Sequence, residues 1–177
     1  MSKKFKVIYL DTLLPMTNYE TDILDQAGAE VLSIPAASPE EIVKAAKDAD
    51  AVMTIAAKIT REVVAGLENC KVIGRYGIGL DNIDLEAATE KGIVVTNVPV
   101  YCQDEVAEIA LVLMLACQRR LMIGDRMTRA GRWKQAVGAV DGARSSRRKT
   151  LGLVGFGSIA RKLVPLVKPL GIKVIAS

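Results

Sequence analysis

A pair of glycines between two apolar strands constrains the fold of this chain more than any other feature. Residues 151–154 have strand character and lead directly into Gly155-Phe156-Gly157. An amphipathic segment covers residues 158–170, and a second apolar strand follows at 172–176. The order strand, glycine turn, helix, strand is typical of the first part of a Rossmann domain. We therefore predict that residues 101–177 form the start of a nucleotide-binding domain.

Each small residue of this turn has a physical role in binding a dinucleotide. Gly155 permits the tight turn, Gly157 lets the backbone approach a pyrophosphate, and Ala160 allows the helix to pack closely on its strand. The N-terminus of the helix offers unpaired N–H groups and the positive end of its dipole to the phosphates. The alternative interpretation is that these glycines form an ordinary turn instead of a dinucleotide site. We predict that this turn binds the pyrophosphate of a dinucleotide cofactor through Gly155, Phe156, Gly157, Ser158 and Ile159.

The second strand of such a unit usually ends in an acidic residue, about 20 residues past the glycines, that binds the adenosine ribose. Ser177 stands at that place, and no Asp or Glu follows Gly157. We therefore expect residues 1–177 to be the amino-terminal, truncated part of a longer protein. The residue that would separate NAD from NADP is expected beyond Ser177.

The first hundred residues alternate between short strands and helices. Predicted strands lie at 6–10, 30–34, 51–56, 72–75 and 93–97. N-cap residues such as Thr17, Ser38 and Asp84 mark the helices between them, and the helix after Ser38 is predicted to reach about residue 49. Several strands are apolar on both faces, which favours a parallel sheet with right-handed crossovers. We predict an α/β fold with a flavodoxin-like parallel-sheet domain at 1–100, followed by the Rossmann portion at 101–177.

The longest predicted helix covers residues 104–121 and is apolar on more than one face. One stripe of this helix carries Ala107, Ala110, Leu111, Met114 and Leu115. Such a helix is expected to be buried between domains or against a partner chain. Trp133 is expected between structured elements, where it serves either local packing or an interface. Pro165 lies inside the helix after the glycine turn and predicts a kink there.

Composition excludes several classes of function. The formal net charge is only +4 and aromatic residues make up 4% of the chain, which argues against a nucleic-acid partner. The basic cluster at 144–149 is interpreted as a solvated linker rather than a phosphate patch. The longest apolar run, 109–117, is too short to span a bilayer. The three cysteines lack metal-ligand spacing, and no signal-peptide core is present, so we expect a cytoplasmic protein with reduced thiols and no metal.

Several motifs in order resemble one known family. The strongest is the run Val72-Ile-Gly-Arg-Tyr-Gly-Ile-Gly-Leu-Asp-Asn-Ile-Asp84, followed by motifs at 86–89, 95–99, 105–108 and 131–133 and by the glycine turn. Together they resemble the NAD-dependent D-isomer-specific 2-hydroxyacid dehydrogenases, a family that includes phosphoglycerate dehydrogenase-like enzymes and the C-terminal-binding-protein corepressors. The resemblance covers nearly the whole chain.

The resemblance implies a cleft in which a small 2-hydroxy or 2-oxo acid meets the nicotinamide. The backbone N–H groups of Gly77, Ile78 and Gly79 would face the substrate carboxylate, because glycines let N–H groups approach an anion. A turn that needs positive φ is the alternative explanation of these glycines. Ala57 matches a further substrate-binding position. Ile78 and Val106 match cofactor-binding positions near the nicotinamide ring.

In the family, a hydride passes between the nicotinamide and C2, an arginine holds the carboxylate and carbonyl of the substrate, and a histidine backed by a carboxylate moves the proton. None of the three matches a residue here, and the chain contains no histidine. We therefore predict no catalytic residues and no turnover for this chain alone. The loop residue Asp81 is expected to hold loop geometry, and Ile78, which replaces a hydroxyl residue of some relatives, disfavours 3-phosphoglycerate.

The resemblance also implies a homodimer, formed through residues 104–133. Two further interpretations remain open besides that of a truncated dehydrogenase. One is an NAD(H)-sensing, corepressor-like binding protein, and the other is a short paralogue with a structural role. All of these share the fold, so the fold does not separate them.

Overall fold

A computed structural model describes residues 5–10, 14–35 and 38–177 of the chain. Its contacts divide the chain into two compact units, Met1–Tyr101 and Cys102–Ser177. The division falls beside the boundary predicted at 100/101. Whether the two units serve as substrate and cofactor domains stays a prediction.

The first unit is a five-stranded parallel sheet with helices between its strands. Its elements are β1 (Phe5–Tyr9), α1 (Asn18–Gln26), β2 (Ala29–Ser33), α2 (Pro39–Ala46), β3 (Ala51–Thr54), α3 (Arg61–Gly66), β4 (Val72–Arg75), α4 (Leu85–Glu90) and β5 (Val94–Thr96). The strand order is β2-β1-β3-β4-β5, and every neighbouring pair is parallel. This is the flavodoxin-like order, so the predicted fold class is confirmed.

Local signals set the ends of the helices. The Ser38 Oγ accepts from the Glu41 N–H at the start of α2, and Asp84 Oδ1 accepts from the Ala87 N–H at the start of α4. The prediction that α2 reaches residue 49 is wrong. The N–H of Ala49 donates to the carbonyl of Ala46 in a tight turn. The N–H of the next residue, Asp50, then donates to the carbonyl of Lys6 in β1. Sheet pairing therefore overrides the helix propensity of these last residues.

Apolar side chains on the strands form the core of the first unit. Ile8 in β1, Val52 in β3 and Ile73 in β4 are fully buried. They belong to one cluster that also contains side chains of the flanking helices. A sheet covered in this way leaves mainly its strand ends and connecting loops open for function.

The second unit contains three helices followed by the strand–helix–strand segment. Its elements are α5 (Gln103–Gln118), α6 (Leu121–Arg129), α7 (Trp133–Ala139), β6 (Thr150–Leu153), α8 (Ser158–Val167), a 3₁₀ helix (Lys168–Leu170) and β7 (Lys173–Ala176). Strands β6 and β7 pair in parallel. The predicted order of strand, glycine turn, helix and strand is confirmed.

Two helix boundaries differ from the prediction. The long helix ends at Gln118 instead of residue 121, because Arg120 adopts φ +51° and is the N-cap of the separate helix α6. Trp133, expected between structured elements, is the first residue of α7 and is 67% exposed. That exposure excludes local packing as its role within this chain. An interface role remains a prediction.

The apolar stripe of α5 packs within its own unit. Ala107 is fully buried in a cluster with Leu163 and Val167 of α8, and Leu111 and Met114 pack against this cluster. Both Asp104 carboxylate oxygens accept hydrogen bonds from Lys162 Nζ at 2.8 Å, which joins α5 to α8. Most of the predicted stripe is therefore packed against α8 of the same unit.

Pro165 lies inside α8 without ending it. The helix continues to Val167 and then tightens into the 3₁₀ helix, which Gly171 ends with φ +71°. The kink expected at Pro165 stays a prediction. Among the described residues, no helix is long and apolar enough to cross a membrane.

Candidate functional site

The loop that follows β4, residues 76–82, lies at the carboxyl edge of the first sheet. Backbone hydrogen bonds hold it on two sides: the Tyr76 N–H donates to the Thr54 carbonyl at 2.9 Å, and the Val98 N–H donates to the Gly77 carbonyl at 3.0 Å. The Asn97 side-chain amide donates to the Ile78 carbonyl at 2.7 Å. The loop is therefore fixed before any ligand arrives, which lowers the entropic cost of binding.

Two of the three N–H groups predicted to face a carboxylate are free. The Gly77 N–H donates to the Arg75 carbonyl at 3.0 Å. The N–H groups of Ile78 and Gly79 have no acceptor within the described part of the chain. Unpaired N–H groups on consecutive residues are the arrangement that binds an anion. The geometry therefore favours Ile78 and Gly79 as the donors, with Gly77 holding the turn.

The glycines of this loop make room for neighbouring side chains. Neither Gly77 nor Gly79 has a positive φ, so a turn that needs one is the wrong explanation for them. A Cβ on Gly77 would lie 1.2 Å from Arg75 Nη1, and a Cβ on Gly79 would lie 2.7 Å from Asp81 Oδ1. Arg75 Nη1 donates to the Tyr76 carbonyl at 3.0 Å, and its buried Nε has no partner among the described residues.

A side chain that the sequence did not point to joins the two predicted substrate-binding segments. Ala57 is 8% exposed, and its carbonyl accepts from the Asn82 side-chain amide at 2.8 Å. Asp81, expected to hold the loop, makes no hydrogen bond to a described residue. Asn82 therefore fixes the loop against the end of β3. The sequence feature that could have identified Asn82 is an amide residue next to an aspartate in a glycine-rich loop.

A cavity of about 300 Å³ opens beside this loop. It is lined by Tyr9, Leu14, Pro15, Met16, Glu20, Ile55, Tyr76, Gly77, Val98 and Tyr101. The rings of Tyr9 and Tyr76 meet edge to face, with centroids 5.9 Å apart and planes at 65°. The lining residues come from five separate segments of the chain, so no sequence pattern marks them as a set.

The glycine turn of the second unit has the geometry expected of a pyrophosphate site. Gly155 has φ +86°, a left-handed value that favours glycine. Its N–H donates to the Ser177 carbonyl at 3.0 Å, which ties the turn to the end of β7. A Cβ placed on Gly157, the N-cap of α8, would meet no atom within 4 Å. The space in front of the turn is therefore open to a ligand.

The first turn of α8 presents donors and a positive charge. The N–H groups of Ser158 and Ile159 have no acceptor in the part of the chain that the structure describes. The Arg161 guanidinium lies 5.6 Å from the centroid of the Phe156 ring, and its Nε donates to the Phe156 carbonyl at 3.1 Å. The sequence analysis did not single out Arg161, whose positive charge near the N-terminus of a helix would be favourable only with an anion close by.

The two remaining predicted cofactor residues lie in different units. Val106 is on α5 in the second unit and is 42% exposed, whereas Ile78 is in the first unit and is 38% exposed. Both side chains are thus accessible for contact with a ligand. Their role beside a nicotinamide stays a prediction.

A flavodoxin-like sheet with a glycine loop at its carboxyl edge, together with a Rossmann-type turn in a separate unit, defines a protein of the parallel α/β class. Comparison with known families identifies the particular one. Residues 7–161 match the sequence pattern of the "D-isomer specific 2-hydroxyacid dehydrogenase, catalytic domain" family. The chain belongs to this family.

The relatives of the chain are longer enzymes. A D-3-phosphoglycerate dehydrogenase of Methanocaldococcus jannaschii is 38% identical over 164 residues, which are 91% of this chain and 30% of that protein. A hydroxypyruvate reductase of Thermotoga maritima is 39% identical over 138 residues, which are 77% of this chain and 44% of that protein. The chain therefore spans less than half the length of these relatives.

A solved structure shows the same fold. The NAD⁺-bound 3-phosphoglycerate dehydrogenase of Entamoeba histolytica superposes with a TM-score of 0.73 at 29% identity, covering 99% of this chain and 54% of that one. The fold of this chain is therefore that of an amino-terminal segment of 2-hydroxyacid dehydrogenases.

Proposed function

We propose that this chain is the amino-terminal part of an NAD-dependent oxidoreductase that acts on a small 2-hydroxy or 2-oxo acid. The geometry of the glycine turn carries the proposal, since Gly155 is left-handed and the α8 N-terminus is open. When bound, the cofactor would supply or accept the hydride at C2 of the acid. The family membership and the NAD⁺-bound relative support this reading.

The first unit would hold the acid by its carboxylate. The free N–H groups of Ile78 and Gly79 donate to its oxygens, and Gly77 fixes their direction through its bond to the Arg75 carbonyl. Hydrogen bonds to a charged group contribute roughly 1.5–3 kcal/mol each. Ala57 follows the end of the neighbouring strand β3, and its carbonyl accepts a hydrogen bond from the Asn82 side-chain amide.

The second unit would hold the pyrophosphate of the cofactor. Gly155 and Phe156 form the turn, and Gly157 leaves space in front of the Ser158 and Ile159 N–H groups. These donors and the positive end of the α8 dipole stabilise the phosphates. Val106 and Ile78 are proposed to contact the nicotinamide.

Titration of NAD⁺ into the 177-residue chain tests the proposal. We expect a dissociation constant weaker than micromolar, because the described turn supplies donors for the pyrophosphate and no carboxylate for the ribose. Loss of one charge-assisted bond alone weakens binding about tenfold or more. Isothermal calorimetry measures the constant, and the amide resonances of Ser158 and Ile159 should shift on titration.

Gly157→Val is the matched variant for this titration. Gly157 has φ −76°, and an added Cβ would meet no neighbour within 4 Å. The methyl groups of valine would occupy the space proposed for the pyrophosphate, and the shifts should disappear, while the melting temperature should fall only slightly because valine is a poorer N-cap residue than glycine. An unaltered NAD⁺ response in Gly157→Val would contradict the site, and micromolar affinity would show a more complete site than we propose.

A further inference from the structure

The cavity beside the β4 loop lies where ligands bind in sheets of this topology. The strand order places β1 and β3 as neighbours at the point where the order reverses. In doubly wound sheets, the crevice outside the carboxyl ends of the strands at this point is the usual ligand site. Tyr9 ends β1 and Ile55 follows β3, and both line the cavity. Its volume of about 300 Å³ is at the lower end of the range for small-molecule pockets.

The cavity adjoins the proposed carboxylate loop. Gly77 lines it, and the free N–H groups belong to the next two residues, Ile78 and Gly79. An acid whose carboxylate accepts from these N–H groups would therefore lie next to a residue that lines the cavity. The loop would fix the position of the carboxylate, and the cavity would limit the size and polarity of the side chain of the acid.

The lining of the cavity is largely apolar. Leu14, Met16, Ile55 and Val98 contribute aliphatic or thioether surface, and the Tyr9 and Tyr76 rings contribute aromatic surface. An apolar side chain that enters this space leaves water and gains dispersion contacts. A hydroxylated or very short side chain gains neither the free energy of leaving water nor the dispersion contacts.

The charge in the cavity is negative. Its one charged lining residue, among those the structure describes, is Glu20. Hydrogen bonds from Thr17 hold the pKa of Glu20 below its ordinary value, so the carboxylate is anionic at neutral pH. Burial, together with the charge of Glu20, raises the pKa of Tyr76, so that hydroxyl remains a neutral donor. A phosphate or a second carboxylate would meet repulsion and no Lys or Arg among these lining residues.

Resting on the proposed function, we infer that this cavity receives the side chain of the substrate. The chain selects 2-hydroxy or 2-oxo monocarboxylic acids whose side chain is uncharged and apolar, aromatic or branched aliphatic in type. It disfavours phosphorylated and dicarboxylic acids. Glu20 and Val98 are the residues that set this preference, one by charge and the other by size.

Binding of four acids to the 177-residue chain tests the inference. Phenylpyruvate and 4-methyl-2-oxopentanoate should bind about tenfold or more tightly than glyoxylate and 3-phosphoglycerate, as measured by NMR titration. Val98→Phe fills the cavity while keeping the backbone bond to Gly77, and it should remove the advantage of the two larger acids without changing glyoxylate. Val94→Phe, at a 58% exposed position outside the cavity, is the matched control.

Glu20→Gln provides an independent variant, since glutamine also completes the helix cap. It should improve 3-phosphoglycerate binding severalfold and leave phenylpyruvate unchanged. Glyoxylate binding as tightly as phenylpyruvate, or Val98→Phe weakening both equally, overturns the side-chain pocket while leaving the carboxylate loop intact. Failure of all four acids to shift the Ile78 and Gly79 amides refutes the carboxylate loop itself, and with it the proposed function of the first unit.

Discussion

At the scale of single residues, the glycines of this chain do three different things. Gly155 supplies a left-handed backbone conformation, with φ +86°. Gly157 has an ordinary φ and leaves open space. Gly77 has no positive φ and gives room to the Arg75 guanidinium. The left-handed φ of Gly155 affects the folding of the turn. The missing side chain of Gly157 affects what can bind in front of the turn.

Gly155→Ala and Gly157→Ala should therefore separate folding from binding. Alanine at Gly155 should lower the opening free energy of β6 and β7 amides by about 1–2 kcal/mol, because a Cβ is strained at that φ. Alanine at Gly157 should lower it by less, about 0.5 kcal/mol, because its φ is ordinary and the cost comes only from a poorer N-cap residue. Hydrogen exchange measures both. Equal costs at the two positions would mean that the backbone conformation is not what Gly155 supplies.

At the scale of elements, α8 contains a residue that a helix does not favour. Pro165 has no N–H to donate to the Arg161 carbonyl, and its ring crowds that carbonyl. Packing offsets this cost, because Leu163 and Val167 are buried against α5 on either side of it. The glycine turn lies at the other end of the helix and does not depend on it.

Pro165→Ala should stabilise the second unit by about 1–3 kcal/mol, since alanine restores the missing bond in an exposed helix position. Pro169→Ala is the control, because Pro169 lies in the first turn of the 3₁₀ helix, where a proline is tolerated. That control should change stability by less than about 0.5 kcal/mol. Urea denaturation gives both values. A loss of stability in Pro165→Ala would show that the helix is built around the proline.

At the scale of the whole molecule, the chain combines the sites that we propose for substrate and cofactor with no residue that we predict to be catalytic. It contains no histidine. We expect no turnover when the chain is incubated with NADH and glyoxylate, hydroxypyruvate or pyruvate. The absorbance of NADH measures this, and a full-length hydroxypyruvate reductase serves as the positive control. Consumption of NADH above the buffer blank would refute the expectation.

The second unit also leaves a broad apolar surface in water. On α5, Ile109, Val112 and Leu113 are 57%, 56% and 58% exposed, and Trp133 on α7 is 67% exposed. Surfaces of this kind on helices commonly mark an interface. We therefore propose that the chain forms a homodimer through residues 104–133.

Light scattering should report more than one chain per particle, and Leu113→Glu combined with Trp133→Ala should reduce this to one. A charge at Leu111 or Met114 is unsuitable for this test, because both pack against the α8 cluster and the unit itself would be destabilised. Val94→Glu, an exposed apolar position in the first unit, is the control. A folded monomer at micromolar concentration, with Trp133 solvent-exposed by fluorescence, would contradict the dimer.

The sequence by itself determined the order of strands and helices, the parallel sheet, the helix caps and the glycine turn. These features depend on local patterns: apolar runs of strand length, an N-cap three residues before its partner, and glycines between a strand and a helix. Ser38, Asp84 and Gly155 each act within a few residues of their own place in the chain. Errors occurred at helix ends, where the sheet pairing of the following segment ends α2 early and the left-handed Arg120 ends α5 early.

The tertiary structure alone decided which groups are free to bind. It shows that Ile78 and Gly79, not Gly77, present unpaired N–H groups, and that Asn82 rather than Asp81 holds the loop. It also creates the cavity beside Gly77, whose lining comes from five segments of the chain. Each of these depends on contacts between residues far apart in sequence, and hydrogen-bond partners and empty space of that kind exist only once the strands are in register.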